Sequence, residues 1–214
     1  MDLLETISLQ LQAGKAKAVK QLVADAVGEG FSAQDILKNG LLKGMQVIGA
    51  KFKANEVFVP EVLVAARAMN MGVEVLKPLL KEEGAESAGK VCIGTVQGDL
   101  HDIGKNLVRL MMEGKGLEVV DLGTDVKPET FVEAAIENHC QVICCSALLT
   151  TTMQVMKEVV MAADRAGIRG KTKILVGGAP ITEAFCKQIG ADGYAPDATS
   201  AAIKAVELCG ETIR

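Results

Sequence analysis

His101 stands between two carboxylates in the run Gln97-Gly98-Asp99-Leu100-His101-Asp102-Ile103-Gly104-Lys105. A carboxylate that accepts a hydrogen bond from one ring nitrogen fixes the imidazole tautomer and makes the other nitrogen a better metal ligand. The same residues also read as an ion-paired, idle surface histidine. A simple protein metal site fits poorly: the other histidine, His139, falls at a predicted helix end, and no further ligand is spaced for zinc. If His101 binds a metal, a cofactor must supply the remaining ligands. Gly98 and Gly104 flank the histidine but lack the G-x-G-x-x-G spacing of a nucleotide loop. Hydroxyls gather at Ser146 and at Thr150-Thr151-Thr152, and two glycines, Gly177 and Gly178, stand together further on.

The elements around these residues follow a strand–loop–helix grammar that begins at Lys90. Short β-branched runs occur at 90–96, 117–123, 141–148, 173–178 and 192–196, with helical patterns between them. The first, third and fourth runs are nearly continuous in apolar residues, as strands buried on both faces are. The pattern predicts an α/β, doubly wound, flavodoxin-like (Rossmann-like) domain over 90–214 with a five-stranded parallel sheet. In strand order 2-1-3-4-5, ligands bind beyond the carboxyl ends of the strands, at the switch point between strands one and three. The His101 loop follows strand one and Ser146-Ala147-Leu148 follows strand three. Gly177-Gly178 follows strand four, and Tyr194-Ala195-Pro196 follows strand five. Four loops of one edge would surround one cavity.

Residues 1–84 carry no strand signal. Apolar residues at helical spacing predict four helices and hence a small bundle. Ser32 with Asp35 reads as a helix start, Pro60 suits the first turn of the fourth helix, and Pro78 is expected to bend or end it. KEEGAESAG, residues 81–89, reads as a linker. The hydrophobic fraction of 49% supports a real core, and aromatics at 3% leave aliphatic residues and Met to fill it. A net charge of -4 argues against nucleic acid, which wants a basic face. No apolar run reaches the roughly 18 residues of a membrane span. The start lacks the basic and apolar regions of a signal peptide. The six cysteines form no C-x-x-C pair and read as reduced, which suits the cytoplasm.

The motifs resemble those of a known family. Asp99-Leu100-His101-Asp102-Ile103-Gly104 matches the D-x-H-x-x-G signature of cobalamin-binding domains, Ser146-Ala147-Leu148 their S-x-L element, and Gly177-Gly178 their double glycine. Residues 44–69 are similar to the helical cap that precedes this domain in methyl-transferring members. The chain resembles the stand-alone corrinoid proteins of methanol, methylamine and methoxy-compound methyltransferase systems, and is similar to the cobalamin-binding modules of methionine synthase. The resemblance implies a cobalamin-type corrinoid, with His101 as lower axial ligand to cobalt and Asp99 hydrogen-bonded to it. The hydroxyl that completes this relay in methionine synthase is a serine; here it is Thr152. Ser146 and Thr150 would face the displaced nucleotide tail. Gly104, Gly177 and Gly178 would line its slot, with Tyr194 and Ala195 near the far end, and Gly98, Asp102, Ile103 and Leu148 would be further cofactor-binding residues. Phe58, Val59 and Val62 would pack in the cap above the corrin.

The resemblance further implies a carrier rather than a catalyst acting alone. Cobalt(I) would take a methyl group from a substrate-specific corrinoid methyltransferase. Methyl-cobalt(III) would deliver it to a second methyltransferase with a folate or thiol acceptor. The axial bond would form on methylation and break on demethylation, coupled to a proton on the Asp99–His101 pair. A reductive activator protein is expected as a further partner. Three other readings compete. A cobalamin sensor would need an output domain, and residues 1–84 are not basic enough to prefer DNA reading. The small subunit of an adenosylcobalamin mutase shares D-x-H-x-x-G but not the cap. A receiver domain would need an aspartate where Ser146 stands.

Overall fold

Five short apolar runs become the strands of one parallel sheet in the computed structural model, which describes residues 2–82 and 87–212. They are β1 (Lys90–Thr95), β2 (Glu118–Asp121), β3 (Val142–Ser146), β4 (Lys173–Gly177) and β5 (Gly193–Ala195), in the order β2-β1-β3-β4-β5. The three central strands are buried along almost their whole length, which explains their lack of polar alternation. Edge strand β2 is exposed at both ends and half-buried between them. The crossover helices are α6 (Ile103–Glu113), α7 (Pro128–Glu137), α8 (Val155–Arg165) and α9 (Glu183–Ile189), and α10 (Ala198–Thr212) closes the chain. Helices α6 and α10 pack together, as do α7 with α8 and α8 with α9, so both faces of the sheet are covered. On the α7–α9 side the core is built from Val96, Phe131, Ile143, Met156, Val159 and Val176 with buried cysteines among them. All six cysteines are free and buried, where they act as small hydrophobes.

The chain divides into two units, Met1–Glu86 and Ser87–Arg214. The first is helical: α1 (Leu3–Gln12), α2 (Ala16–Gly28), α3 (Ala33–Asp35), a π-helical stretch (Ile36–Leu42), α4 (Lys43–Lys53) and α5 (Val59–Glu82). Helix α3, the π stretch and α4 run on without a break, so the four-helix expectation survives with an inserted wide turn. The Ser32 hydroxyl accepts the Asp35 N–H at 3.1 Å and starts that rod. The wide turn puts Ile36, Gly40 and Leu41 on one buried face, at spacings of four and five. At the start of α5 the Glu61 carboxylate reaches back to the Phe58 N–H at 3.0 Å, as in a capping box.

One of the two outcomes expected at Pro78 is excluded, and one boundary needs correction. Helix α5 does not end at Pro78 but continues to Glu82. A proline removes one N–H, that of its own residue, and the buried Met69 and Leu76 tie the preceding turns to the core. The expected linker at 81–89 is correspondingly shorter: 81 and 82 are helical, and 83–86 lie outside the described residues. At its other end, the Ala88 N–H already donates to Gly116 C=O at 3.0 Å, and Glu118 N–H to Gly89 C=O at 2.9 Å. Among the described residues no helix is long and apolar enough to cross a membrane.

Candidate functional site

The carboxyl end of the sheet is a row of small residues in register: Thr95 beside Ser146, Ser146 beside Gly177, Gly177 beside Ala195. The loops after β1 and β3 rise from this row. They meet on the carboxylate of Asp99, which is fully buried. Its Oδ1 accepts the main-chain N–H of His101 at 3.1 Å and lies 2.7 Å from ring Nδ1. Its Oδ2 accepts the N–H groups of Leu148 at 2.8 Å and Leu149 at 3.2 Å, and the Thr152 hydroxyl at 2.9 Å. The Thr152 proton has a second acceptor within reach, Leu149 C=O at 3.0 Å, but an ionised carboxylate is the stronger one.

Burial by itself pushes the Asp99 carboxyl pKa up. The N–H groups of Leu148 and His101, the His101 ring and the Thr152 hydroxyl more than reverse this, and hold it well below the usual carboxylate range. An ionised carboxylate only accepts, so Nδ1 of His101 must donate, and in the neutral ring the lone pair then sits on Nε2. The His101 side chain is 52% exposed. The arrangement is a fixed, buried anion holding a half-open imidazole with its second nitrogen available. Residue types alone left two acids as candidates for this task; the structure places Asp99, the one the family resemblance implies, against the ring. Asp102 turns away: its Oδ2 accepts from Asn106 Nδ2 at 3.0 Å at the start of α6.

Thr95, Asp125 and Leu149, which carried no obvious signal, complete the loop geometry together with Leu148 of the S-x-L element. Thr95 Oγ1 donates to His101 C=O at 2.9 Å. Asp125, in a left-handed conformation, accepts Gly98 N–H on Oδ1 at 2.7 Å and donates its own N–H to Asp99 C=O at 3.0 Å. Leu148 and Leu149 contribute through their amides, and a main-chain donor leaves no mark on side-chain type.

The other expected residues fall in different places. Ser146, half-buried, ends β3, and Thr150 is exposed in the turn that follows, outside the Asp99 cluster. Gly178 has φ +131°, and a Cβ there would lie 1.9 Å from Ala147 O, so the β3 and β4 loops meet only because it is glycine. At Gly104 a Cβ would meet nothing within 4 Å, so the chain's own packing does not demand glycine there. Tyr194 and Ala195 are corrected: they lie within β5, not in a loop after it. Their pairing with Val176 and Gly177 draws them into the sheet, Ala195 buried and Tyr194 packed against the core. In the first unit, Val62 is buried and Val59 half-buried, whereas Phe58 is 65% exposed.

These residues fit a corrinoid on chemical grounds. Among the described residues no three His, Cys, Asp or Glu side chains gather into a metal cluster, so His101 would be a lone protein ligand. Around it Leu100 (73% exposed), Ile103 (77%), Leu148 and Leu149 present apolar surface on the two loops that hold Asp99 and His101. A broad, mostly apolar group with one vacant metal position matches this combination, and the bare Gly104 start of α6 leaves it space.

Comparison with known proteins points the same way. The B12 binding domain family matches residues 89–203, and a second B12 binding domain family matches residues 3–77. A corrinoid protein of Desulfitobacterium hafniense (strain Y51) is 40% identical over 214 residues, covering 99% of each chain. The dimethylamine corrinoid protein of Methanosarcina barkeri is 42% identical over 208 residues, 97% of each. Among solved structures, the methanol:cobalamin methyltransferase complex MtaBC from Methanosarcina barkeri aligns with a TM-score of 0.86 and 30% identity, over 97% of this chain and 80% of that one.

Proposed function

This chain belongs to the B12-binding corrinoid proteins, and on that premise we propose that it is the methyl carrier of a methanol- or methylamine-type methyltransferase system. When bound, the corrinoid supplies a cobalt centre that takes up a methyl group and gives it away. The observation that carries the reading is the 2.7 Å contact between Asp99 Oδ1 and His101 Nδ1, with Nε2 left free on a half-exposed ring. His101 would hold the cobalt through Nε2. Asp99, ionised and buried, fixes the donating tautomer and is the counter-charge when Nε2, released, takes a proton. Thr152 and the Leu148 and Leu149 amides keep the carboxylate from turning. Gly104, Gly178 and the exposed Leu100, Ile103, Leu148 and Leu149 form the seat for the rest of the cofactor, and Ser146 and Thr150 offer it hydroxyls.

Donor and acceptor chemistry belong to partners. A substrate-specific corrinoid methyltransferase loads it, a folate- or thiol-dependent methyltransferase unloads it, and a reductive activator restores it after oxidation. All act in the cytoplasm. Methyltransferase-system names among its relatives support this reading. The test is anaerobic reconstitution with cobalamin, followed by trials with methanol- and methylamine-specific methyltransferases. Wild type should retain the pigment with a histidine-ligated spectrum, and His101→Ala should retain it with the histidine-free spectrum. Identical spectra for the two proteins overturn the ligand assignment. Failure of every such methyltransferase to change the cobalt spectrum overturns the carrier role.

A further inference from the structure

We propose that the buried Lys105–Asp121 pair is a positioning device for His101 and thereby sets how firmly the imidazole grips the cofactor metal; this rests on His101 being that ligand. Lys105 occupies the first turn of α6, where the unpaired N–H groups of the helix end disfavour a cation. It is also 2% exposed, a condition lysine reaches only when paired. Its Nζ lies 2.5 Å from Asp121 Oδ1, at the end of β2, and donates to Asn106 Oδ1 at 2.8 Å. A helix–strand staple alone would explain the pair, but its hydrogen bonds continue in two directions, one to His101 and the other to Asp102, the residue that follows it.

In one direction, Asp121 Oδ1 accepts the Gly123 N–H at 3.0 Å, and Gly123 C=O accepts the Thr95 N–H at 3.0 Å. The Thr95 hydroxyl then donates to His101 C=O. In the other, Asn106 donates from Nδ2 to Asp102 Oδ2 at 3.0 Å and from its main chain to Asp102 C=O at 2.7 Å. The peptide joining His101 to Asp102 is thus gripped on its oxygen from the β2 side and on the following residue from α6. Asp99 fixes where Nδ1 points; this frame fixes where the ring starts. Together they determine the place of Nε2.

The experiment compares wild type, Asn106→Ala, Lys105→Met and the double variant Lys105→Met/Asp121→Leu. Asn106→Ala cuts one arm and leaves the ion pair whole, so it should fold. The double variant removes both charges and should recover stability that Lys105→Met loses, because an apolar pair can replace a buried ion pair. In the apo-proteins the exchange rate of the His101 Nδ1 proton is read by NMR. In the reconstituted cobalt(II) proteins the fraction carrying a histidine nitrogen is read by electron paramagnetic resonance. The expected result is about tenfold faster exchange and about tenfold lower ligation in Asn106→Ala, with ligation still low in the stable double variant. Such a tenfold change is about 1.4 kcal/mol, within the range of one intramolecular hydrogen bond. Wild-type exchange and ligation in Asn106→Ala and in the double variant overturn the proposal. If wild type itself shows no histidine nitrogen on cobalt, the ligand reading fails. The exchange rates then still decide whether the frame positions the ring.

Discussion

Replacing Asp99 by Asn changes one heavy atom and should disable the histidine without removing it. The amide has one accepting oxygen where the carboxylate has two. Three donors meet at Oδ2, the Leu148 and Leu149 amides and the Thr152 hydroxyl, so the amide oxygen will take that side. The NH2 then faces the main-chain N–H and ring of His101, where Oδ1 had accepted both. The ring can answer by moving its proton, so that Nδ1 accepts and Nε2 carries the hydrogen; the main-chain N–H has no such option. Losing the charge-assisted bond costs roughly 1.5–3 kcal/mol, and leaving a half-buried N–H against a donor costs roughly 1–2 kcal/mol. The expected loss is about 3–4 kcal/mol in a urea unfolding curve of the apo-protein. Nitrogen NMR of the ring should report the swapped tautomer, and the reconstituted protein should bind cobalamin with the histidine off cobalt, as His101→Ala does. A variant that unfolds at the wild-type midpoint and keeps the histidine-ligated spectrum would refute the claim that Asp99 sets the tautomer.

The two glycines beside the site should separate packing from binding. Gly178→Ala forces a Cβ onto Ala147 O at a φ of +131° and should cost at least ~3 kcal/mol, seen as a large drop in Tm. Gly104→Ala has open space, so the apo-protein should keep its Tm while cobalamin affinity, measured by titration, falls; unchanged affinity would count against a cofactor seat there. Thr152→Val should lose about 1–2 kcal/mol by deleting a donor to the carboxylate, whereas Thr152→Ser should stay near wild type in urea. Acid should also destabilise the protein through Asp99 and Asp121. Against the raising effect of burial, the donors described above lower the Asp99 pKa, and Lys105, Gly123 and Arg109 lower that of Asp121. Folded-state pKa values below the unfolded carboxylate value of about 3.9 give a contribution fully present above that pH and lost as pH falls below it. Urea midpoints measured between pH 6 and 3 should fall less steeply for Asp99→Asn than for wild type.

The sheet was legible in the sequence because a parallel sheet buries its central strands on both faces. KVCIGT, VICCS and KILVG are apolar for that reason, and no amphipathic helix reads that way. Strand order then put the His101 loop and the Ser146 loop on one edge without any side-chain information. The helical unit was legible through its 3.6-residue period, but its π stretch was not, since Ile36, Gly40 and Leu41 suit an α-helix nearly as well. Pro78 misled in a similar way: a local rule was outweighed by tertiary burial on the turns before it. At the site the symmetry of Asp99 and Asp102 about His101 could not be broken from residue types and spacing, only through the D-x-H-x-x-G resemblance. What breaks it is the arrival of two amides and a hydroxyl some fifty residues later, and the start of α6 at Ile103, which enlists Asp102 for Asn106.

The site divides two requirements that oppose one another. A metal ligand must be exposed enough to meet its metal, yet a side chain that is half exposed has freedom to wander. Placing the restraint on Asp99 resolves this. The carboxylate is wholly buried, it is ionised, and five hydrogen bonds from β1 and β3 loop groups converge on it. Asp125, from the loop after β2, fastens its main chain as well. Three strand ends therefore agree on the position of one aspartate, and the imidazole inherits that precision through a single 2.7 Å contact while its far nitrogen stays open. The cost of burying a charge is met by donors that the sheet topology brings together anyway, which is why this chemistry sits at the switch point between β1 and β3 and not on a surface helix.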